Sequence, residues 1–152
     1  MPNETWNRLV IEGPEEDVQR FVERVVSKDL DYDGEPYVLD FEAHVPVPPD
    51  FTRDDVRVWS VYAWGCLQPM SAEILERKPG RVVYFLTTAV SAPIPWLEAT
   101  AQAEPTLSFV HEHMEEFGQG YGRMFYEGGK LVRNDDIEPT DLEWVIWDED
   151  DE

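Results

Sequence analysis

The chain has a single cysteine, Cys66, among 152 residues. That excludes an intramolecular disulfide framework and any Cys-rich zinc or iron–sulfur site. Basic residues are scarce as well: three lysines and nine arginines stand against 33 acids, for a formal net charge of −21. Such a field repels DNA, RNA and anionic lipid, so direct phosphate-backbone binding is not expected. No apolar run approaches the ~18–20 residues of a membrane-spanning helix. The start, Met-Pro-Asn-Glu, has neither the basic nor the apolar region of a secretory signal. A cytoplasmic protein without membrane association is the expectation. What the chain does have is a core. Apolar residues make up 42% and there are six tryptophans, enough for one domain over residues 1–147 followed by an acidic tail, 148–152.

The acidity is uneven. Residues 1–50 carry 13 acids against 4 bases, residues 51–100 carry five of each, and residues 101–152 carry 15 against 3. The neutral middle is the expected buried part. Local patterns then give the elements. Trp6 to Glu12 has strand composition and ends at Gly13-Pro14. Pro14 suits a helix's first turn, three acids follow it, and Val18, Phe21, Val22, Val25 and Val26 recur at helical spacing, which predicts a helix over 14–28. Residues 37–44 and 56–64 alternate as strands, separated by the rigid VPVPPD segment. A short helical turn is expected over 71–78, a strand over 81–88, a helix from 91 or 92 to 104, and a strand over 106–114. A hairpin across Gly128-Gly129 and an end strand over 142–147 complete the order. The pattern predicts an α+β sandwich with a ferredoxin-like split βαβ unit, a mostly antiparallel sheet and two helices on one face.

Several stretches resemble one family. The opening MPNETWNRLVIEGP, the central FEAHVPVPPD, Trp59 to Gly65 (WSVYAWG) and FLTTAVSAPIPWLEATAQAEPTLSFVHEHMEEFGQGYG are similar in order and spacing to motifs of the YubB-type proteins carried by phages, plasmids and prophages. The resemblance runs from Met1 to about Val132. Ala63 stands where that family usually has asparagine, Val90 where it has tryptophan, Ala92 where it has the first of two prolines, and His113 where it has tyrosine. The resemblance implies a ferredoxin-like domain of unknown function in a mobile-element setting. It implies no catalytic residues.

Few residues suggest chemistry. His111-Glu112-His113 is the one metal-like cluster, since positions two apart in a strand share a face. A third ligand would have to come from His44, Glu115 or Glu116. The plainer reading is a pair of half-exposed histidines whose affinity for protons neighbouring carboxylates raise. No metal and no cofactor is therefore expected, with a metal-binding or enzymatic module on the His111/His113 face as an alternative. The glycines of residues 118–122 lack the Walker pattern, and QGYGRMFY (119–126) only partly matches an RNA-recognition strand motif. Cys66 has no activating base nearby in sequence and reads as structural. Trp59, Tyr62, Trp64, Trp96, Tyr121, Trp144 and Trp147 are numerous enough to line a groove, although most aromatics in a small α+β domain are simply core. Trp144 and Trp147, three apart on the end strand, would face opposite sides and offer an aromatic contact.

The acidity remains. Carboxylates spread over a surface imitate duplex phosphates, about one charge per ~1.7 Å of axis. The reading is a non-enzymatic mobile-element protein acting as a decoy that engages a basic host protein. The contributing residues are Glu15, Glu16, Asp17, Asp31, Asp33 and Glu35 on one flank, and Glu112, Glu115, Glu116, Asp135, Asp136, Asp148, Glu149 and Asp150 on the other. The competing reading is a plain interaction module, in a halophilic or high-GC host, that dimerises through an exposed sheet face or the end strand.

Overall fold

The computed structural model describes residues 3–30, 33–67, 71–118 and 120–145. It is an α+β structure of six strands and three helices: β1 (Glu4–Glu12), α1 (Glu15–Arg24), α2 (Arg53–Ala63), β2 (Ser71–Lys78), β3 (Arg81–Ala89), α3 (Ile94–Ala103), β4 (Ser108–Glu115), β5 (Tyr121–Glu127) and β6 (Lys130–Asp135). The strands form one antiparallel sheet in the order β2-β3-β1-β4-β5-β6. No described helix is long and apolar enough to cross a membrane.

Alternation along each strand divides the sheet into two faces. Leu9 and Ile11 of β1, Val82, Tyr84 and Leu86 of β3, Phe109 of β4, and Met124 and Tyr126 of β5 lie on one face. They are buried against Val18, Phe21 and Val22 of α1 and Trp96, Leu97 and Ala101 of α3. Trp59 and Ala63 of α2 pack on the edge of the same core. The other face carries Trp6, Arg8, Glu112, Met114 and Arg123. A strap formed by residues 136–145 crosses it, anchored by Ile137, Leu142, Trp144 and Val145 against Met114 and Trp6.

Four local expectations are corrected. Residues 56–64 are helical, not a strand. Thr52 caps α2 through its hydroxyl and the Asp55 carboxylate returns the bond to Thr52 N–H, a capping box. Val56, Trp59, Ser60 and Ala63 then face inward at helical spacing, while Val58, Val61 and Tyr62 are exposed. The β-branched and aromatic composition had masked this period. Residues 71–78 form the edge strand β2, not a helical turn: Ala72 and Ile74 alternate inward, and a bulge between Ile74 and Glu76 leaves the exposed Leu75 unpaired.

Residues 37–44 are not a strand either. Asp40 N–H and Ser27 N–H tie this segment to the end of α1, and the Asp40 side chain caps a 3₁₀ turn, Phe41–Ala43. Leu39 and Phe41 still reach the core. The expected end strand over 142–147 is absent from its described part: residues 142–145 belong to the strap, after a 3₁₀ turn at Pro139–Asp141. Three helices replace the expected two.

Candidate functional site

His111 and His113 share the helix-side face of β4, as their spacing predicts; His113 is half-buried and shares a cavity with Glu115, while Glu112 is beside neither ring. His111 is fully buried and lies across from Leu9 of β1; His113 lies across from Asn7 and from Gly122 of β5. Glu112 projects from the opposite face of the sheet.

Asn7 organises the pair. Its Nδ2 donates to Thr5 O and Thr88 Oγ1, each at 3.1 Å. Its Oδ1 is thereby turned to accept from His111 Nε2 at 2.9 Å. That assigns the His111 proton to Nε2 and leaves Nδ1 as a buried lone pair with no hydrogen-bond partner; His113 Nδ1 is also buried without one. Burial disfavours the imidazolium form at both positions. His111 is held well below its ordinary 6.5, with the neighbouring His113 adding to the effect, and His113 falls to about 4. The expected rise is corrected: desolvation by burial dominates at both rings.

The two rings stack, with centroids 5.1 Å apart and planes 18° from parallel. Imidazole lone pairs lie in the ring plane, so stacked rings point them side by side instead of at one ion ~2.0–2.1 Å from both. His44 offers no third ligand, since its Nε2 meets Glu104 at 3.0 Å and its ring stacks on Phe21. Among the described residues no three His, Cys, Asp or Glu side chains gather to hold a metal. Cys66 is buried and its thiol is pushed up to about 12, so it has no nucleophilic character near neutrality.

A cavity of about 340 Å³ opens beside His113, lined by Thr5, Gly65, Val90, Ser91, Ala92, Ile94, Pro95, Glu115 and Gly120. Two glycines let its walls pack closely. A Cβ on Gly122 would sit 2.8 Å from His113 Cε1, and one on Gly65, at φ +89°, would sit 2.6 Å from Pro95 Cδ. At the rim, Val90 has φ +76°, the one non-glycine residue with positive φ among the described residues. Ser91 N–H bonds Ala89 O at 2.9 Å to close a three-residue turn around it, and Val90 N–H is held by Asn3 O at 2.7 Å. A β-branched residue is strained there, and its side chain is exposed. Val90→Gly is expected to raise unfolding stability by about 1 kcal/mol in urea denaturation; no gain would mean that the turn is unstrained.

On the other face, Glu112 is buried between two arginines. Arg8 Nη1 lies 3.4 Å from its Oε1, and Arg123 donates to its Oε2 through Nε at 2.9 Å and Nη2 at 2.8 Å. Asp141, Glu143 and Trp144 complete a cavity of about 490 Å³ over this triad. Glu112 is therefore committed to an internal ion-pair triad and is withdrawn from the acidic surface.

The remaining acids separate by face. Glu15, Glu16 and Asp17 begin α1 on the helix side, with Asp17 paired to Arg20. Asp33 and Glu35 are exposed in the loop after α1. Glu115 and Glu116 are half-buried at the sheet's end, where Glu115 Oε1 accepts from Asn3 Nδ2 at 3.1 Å and Glu116 Oε1 from Glu4 N–H at 3.1 Å. Asp135 is clamped by Arg133, and Asp136 starts the strap on the far face. Asp31, Asp148, Glu149, Asp150 and Trp147 lie outside the described residues. The sequence reading missed Glu138, Asp141 and Glu143, which are exposed along the strap; their position after the last base, Arg133, was the available signal.

The aromatics do not line one groove. Trp64 and Trp96 are fully buried with Phe41, Trp59 packs on Trp64, and Trp144 meets Phe85 edge-on at 6.0 Å. Tyr126, which the RNA-binding motif would need for stacking, is buried beneath the helices.

No protein-family model matches the chain, and no curated protein matches it. Its fold is similar to that of the protein api92 from Yersinia pseudotuberculosis, a crystal structure with the family model DUF1281. The two superpose with a TM-score of 0.71 over 90% of this chain and 98% of that one, at 8% sequence identity. At that identity the likeness is one of fold.

Proposed function

We propose that the chain is a non-enzymatic binding protein whose acidic surface engages a basic protein partner. In this reading the core is ferredoxin-like: the order β2-β3-β1-β4, with helices between β1 and β2 and between β3 and β4, is that of a split βαβ sandwich, and β5–β6 extend it. The mobile-element setting and the decoy role, in which carboxylates occupy a basic groove made for phosphates, belong to the same proposal.

One observation carries it. The strap displays Asp136, Glu138, Asp141 and Glu143 to solvent while Ile137, Leu142 and Val145 pin it to the sheet. No lysine or arginine follows Arg133, and residues 146–152 add five more acids in sequence. Along the strap itself no cation is interspersed, and the two beneath it, Arg8 and Arg123, are paired with Glu112, whereas the carboxylates of α1 are interleaved with Arg20 and Arg24. The strap face is therefore the stronger candidate of the two flanks.

The exposed acids of α1, on the opposite face, favour the second reading, in which the acidity is a property of the host's proteome. Affinity capture from host lysate at low and moderate salt tests the proposal. Basic proteins retained at low salt and released as salt rises are the expected result. Neutral or acidic partners, or retention indifferent to salt, would remove it.

A further inference from the structure

The cavity beside His113 has a chemistry of its own, on the helix side of the sheet and away from the strap. Its hydroxyl donors are already spent within its walls. Thr5 Oγ1 donates to Val90 O at 3.4 Å, Ser91 Oγ donates to Gly65 O, and Thr88 Oγ1 donates to Ser91 O at 2.8 Å. What is left for an occupant is one carboxylate and one neutral imidazole, with its single N–H and single lone pair. Glu115 lines the cavity with one carboxylate oxygen on Asn3 and the other beside Gly120, and His113 lines it with an imidazole. The side chains of Val90, Ala92, Ile94 and Pro95 make the rest of the wall apolar.

An apolar sleeve with a carboxylate and an imidazole, and with no free cationic donor among its lining residues, suits one kind of ligand. It must bring its own N–H donors and positive charge on an aliphatic stem. A volume of about 340 Å³ is at the small end of ligand cavities, which run ~300–1,000 Å³. An anion meets Glu115 and a net charge of −21. A metal ion finds one imidazole and one carboxylate, short of a ligand set.

We infer that this cavity is a binding site for an alkyl cation, a primary ammonium or guanidinium group on a short aliphatic chain. The charged head meets Glu115 and His113, and the stem lies against Val90, Ile94 and Pro95. Hydrogen bonds from Val90 N–H to Asn3 O and from Ser91 N–H to Ala89 O hold the strained rim in place, and such strain clusters at ligand clamps. Burial keeps His113 neutral near pH 7, so it adds no repelling charge. The inference stands apart from the basic-partner reading, because small probes test it and the strap lies on the other face.

The test is NMR titration of the full-length chain, following the histidine ring C–H signals and the Ser91 and Gly120 amides at constant ionic strength. The probes are n-butylammonium, n-butylguanidinium, n-butanol and butyrate. Saturable shifts at His113, Ser91 and Gly120 with the two cations, and none with butanol or butyrate, are expected. Glu115→Gln should weaken cation binding about tenfold or more, the loss of one charge-assisted hydrogen bond. Glu143→Gln, on the strap, should leave it unchanged.

Capped lysine and arginine amides give the source. Tighter binding than the free cations assigns a protein side chain as the natural donor, and weaker binding assigns a free amine; either supports the site. Linear, non-saturating shifts, equal response to all four probes, or Glu115→Gln binding like the parent chain would overturn it.

Discussion

Trp96→Ala is expected to cost about 3–5 kcal/mol of unfolding free energy, the range for deleting a large aromatic from a core that cannot collapse around the gap. The residue is fully buried, and three contacts fix it. Its ring stacks on Phe41 with centroids 4.5 Å apart, its Nε1–H donates to Phe41 O at 3.2 Å, and the edge of its ring meets His44. Phe41 in turn packs edge-on to Trp64, whose Nε1–H donates to Val45 O. The whole 37–47 segment, which has little regular structure, is therefore held to the helices through Trp96 and Trp64. Urea denaturation followed by tryptophan fluorescence checks the value. A loss below about 1 kcal/mol would mean that this segment does not depend on the ring for its position.

Acidification gives the second large effect. In the unfolded chain His113 takes up its proton near 6.5, whereas the folded chain resists until about 4. Below 6.5 the unfolded state therefore binds more protons, and stability contributed by the neutral imidazole is lost as pH falls toward 4. The total is about 3 kcal/mol, at 1.36 kcal/mol per pH unit. His111, held lower still, acts in the same direction. Protonating 33 carboxylates relieves self-repulsion over the same window and opposes this loss. The contribution is isolated by subtraction, because that relief is common to the parent chain and to His113→Phe. Denaturation at pH 7, 5.5 and 4.5 is expected to show the parent losing stability relative to the variant as pH falls. Parallel curves would contradict the buried, neutral assignment.

The sequence made α1, β3, α3, β4 and the β5–β6 hairpin legible, because each carries its period or its turn residues locally. Val18, Phe21 and Val22 declare a helix at 3 and 4 spacing, and Gly128-Gly129 declares a hairpin. It misled where composition and period disagree. Residues 56–64 are rich in valine, tryptophan and tyrosine, yet the Thr52–Asp55 capping box starts a helix through them. Ala-Glu-Ile-Leu-Glu-Arg-Lys contains good helix formers, yet pairing with β3 makes it a strand. A local cap overrode β propensity in the first, and tertiary pairing overrode helix propensity in the second.

The candidate site was legible only in part. Strand parity placed His111 and His113 on one face. Their burial follows from the pairing of β1 with β4, which brings Asn7 to His111 across 104 positions of sequence. The turn at Val90 depends on Asn3 and Ser91, and no local pattern announces it. Charge counting located the two acidic flanks but not that α1 and the strap occupy opposite sides of the sheet.

That separation makes the central claim directly testable. Affinity for a captured basic partner is to be measured against salt for the parent chain, for a strap variant (Asp136→Asn, Glu138→Gln, Glu143→Gln) and for an α1 variant (Glu15→Gln, Glu16→Gln, Glu23→Gln). Each variant removes three charges. The strap variant is expected to bind at least about tenfold more weakly, as three charge pairs of ~0.5 kcal/mol each would give, with a shallower salt dependence, while the α1 variant binds like the parent. Equal weakening by the two would show that the partner responds to overall charge and not to the strap.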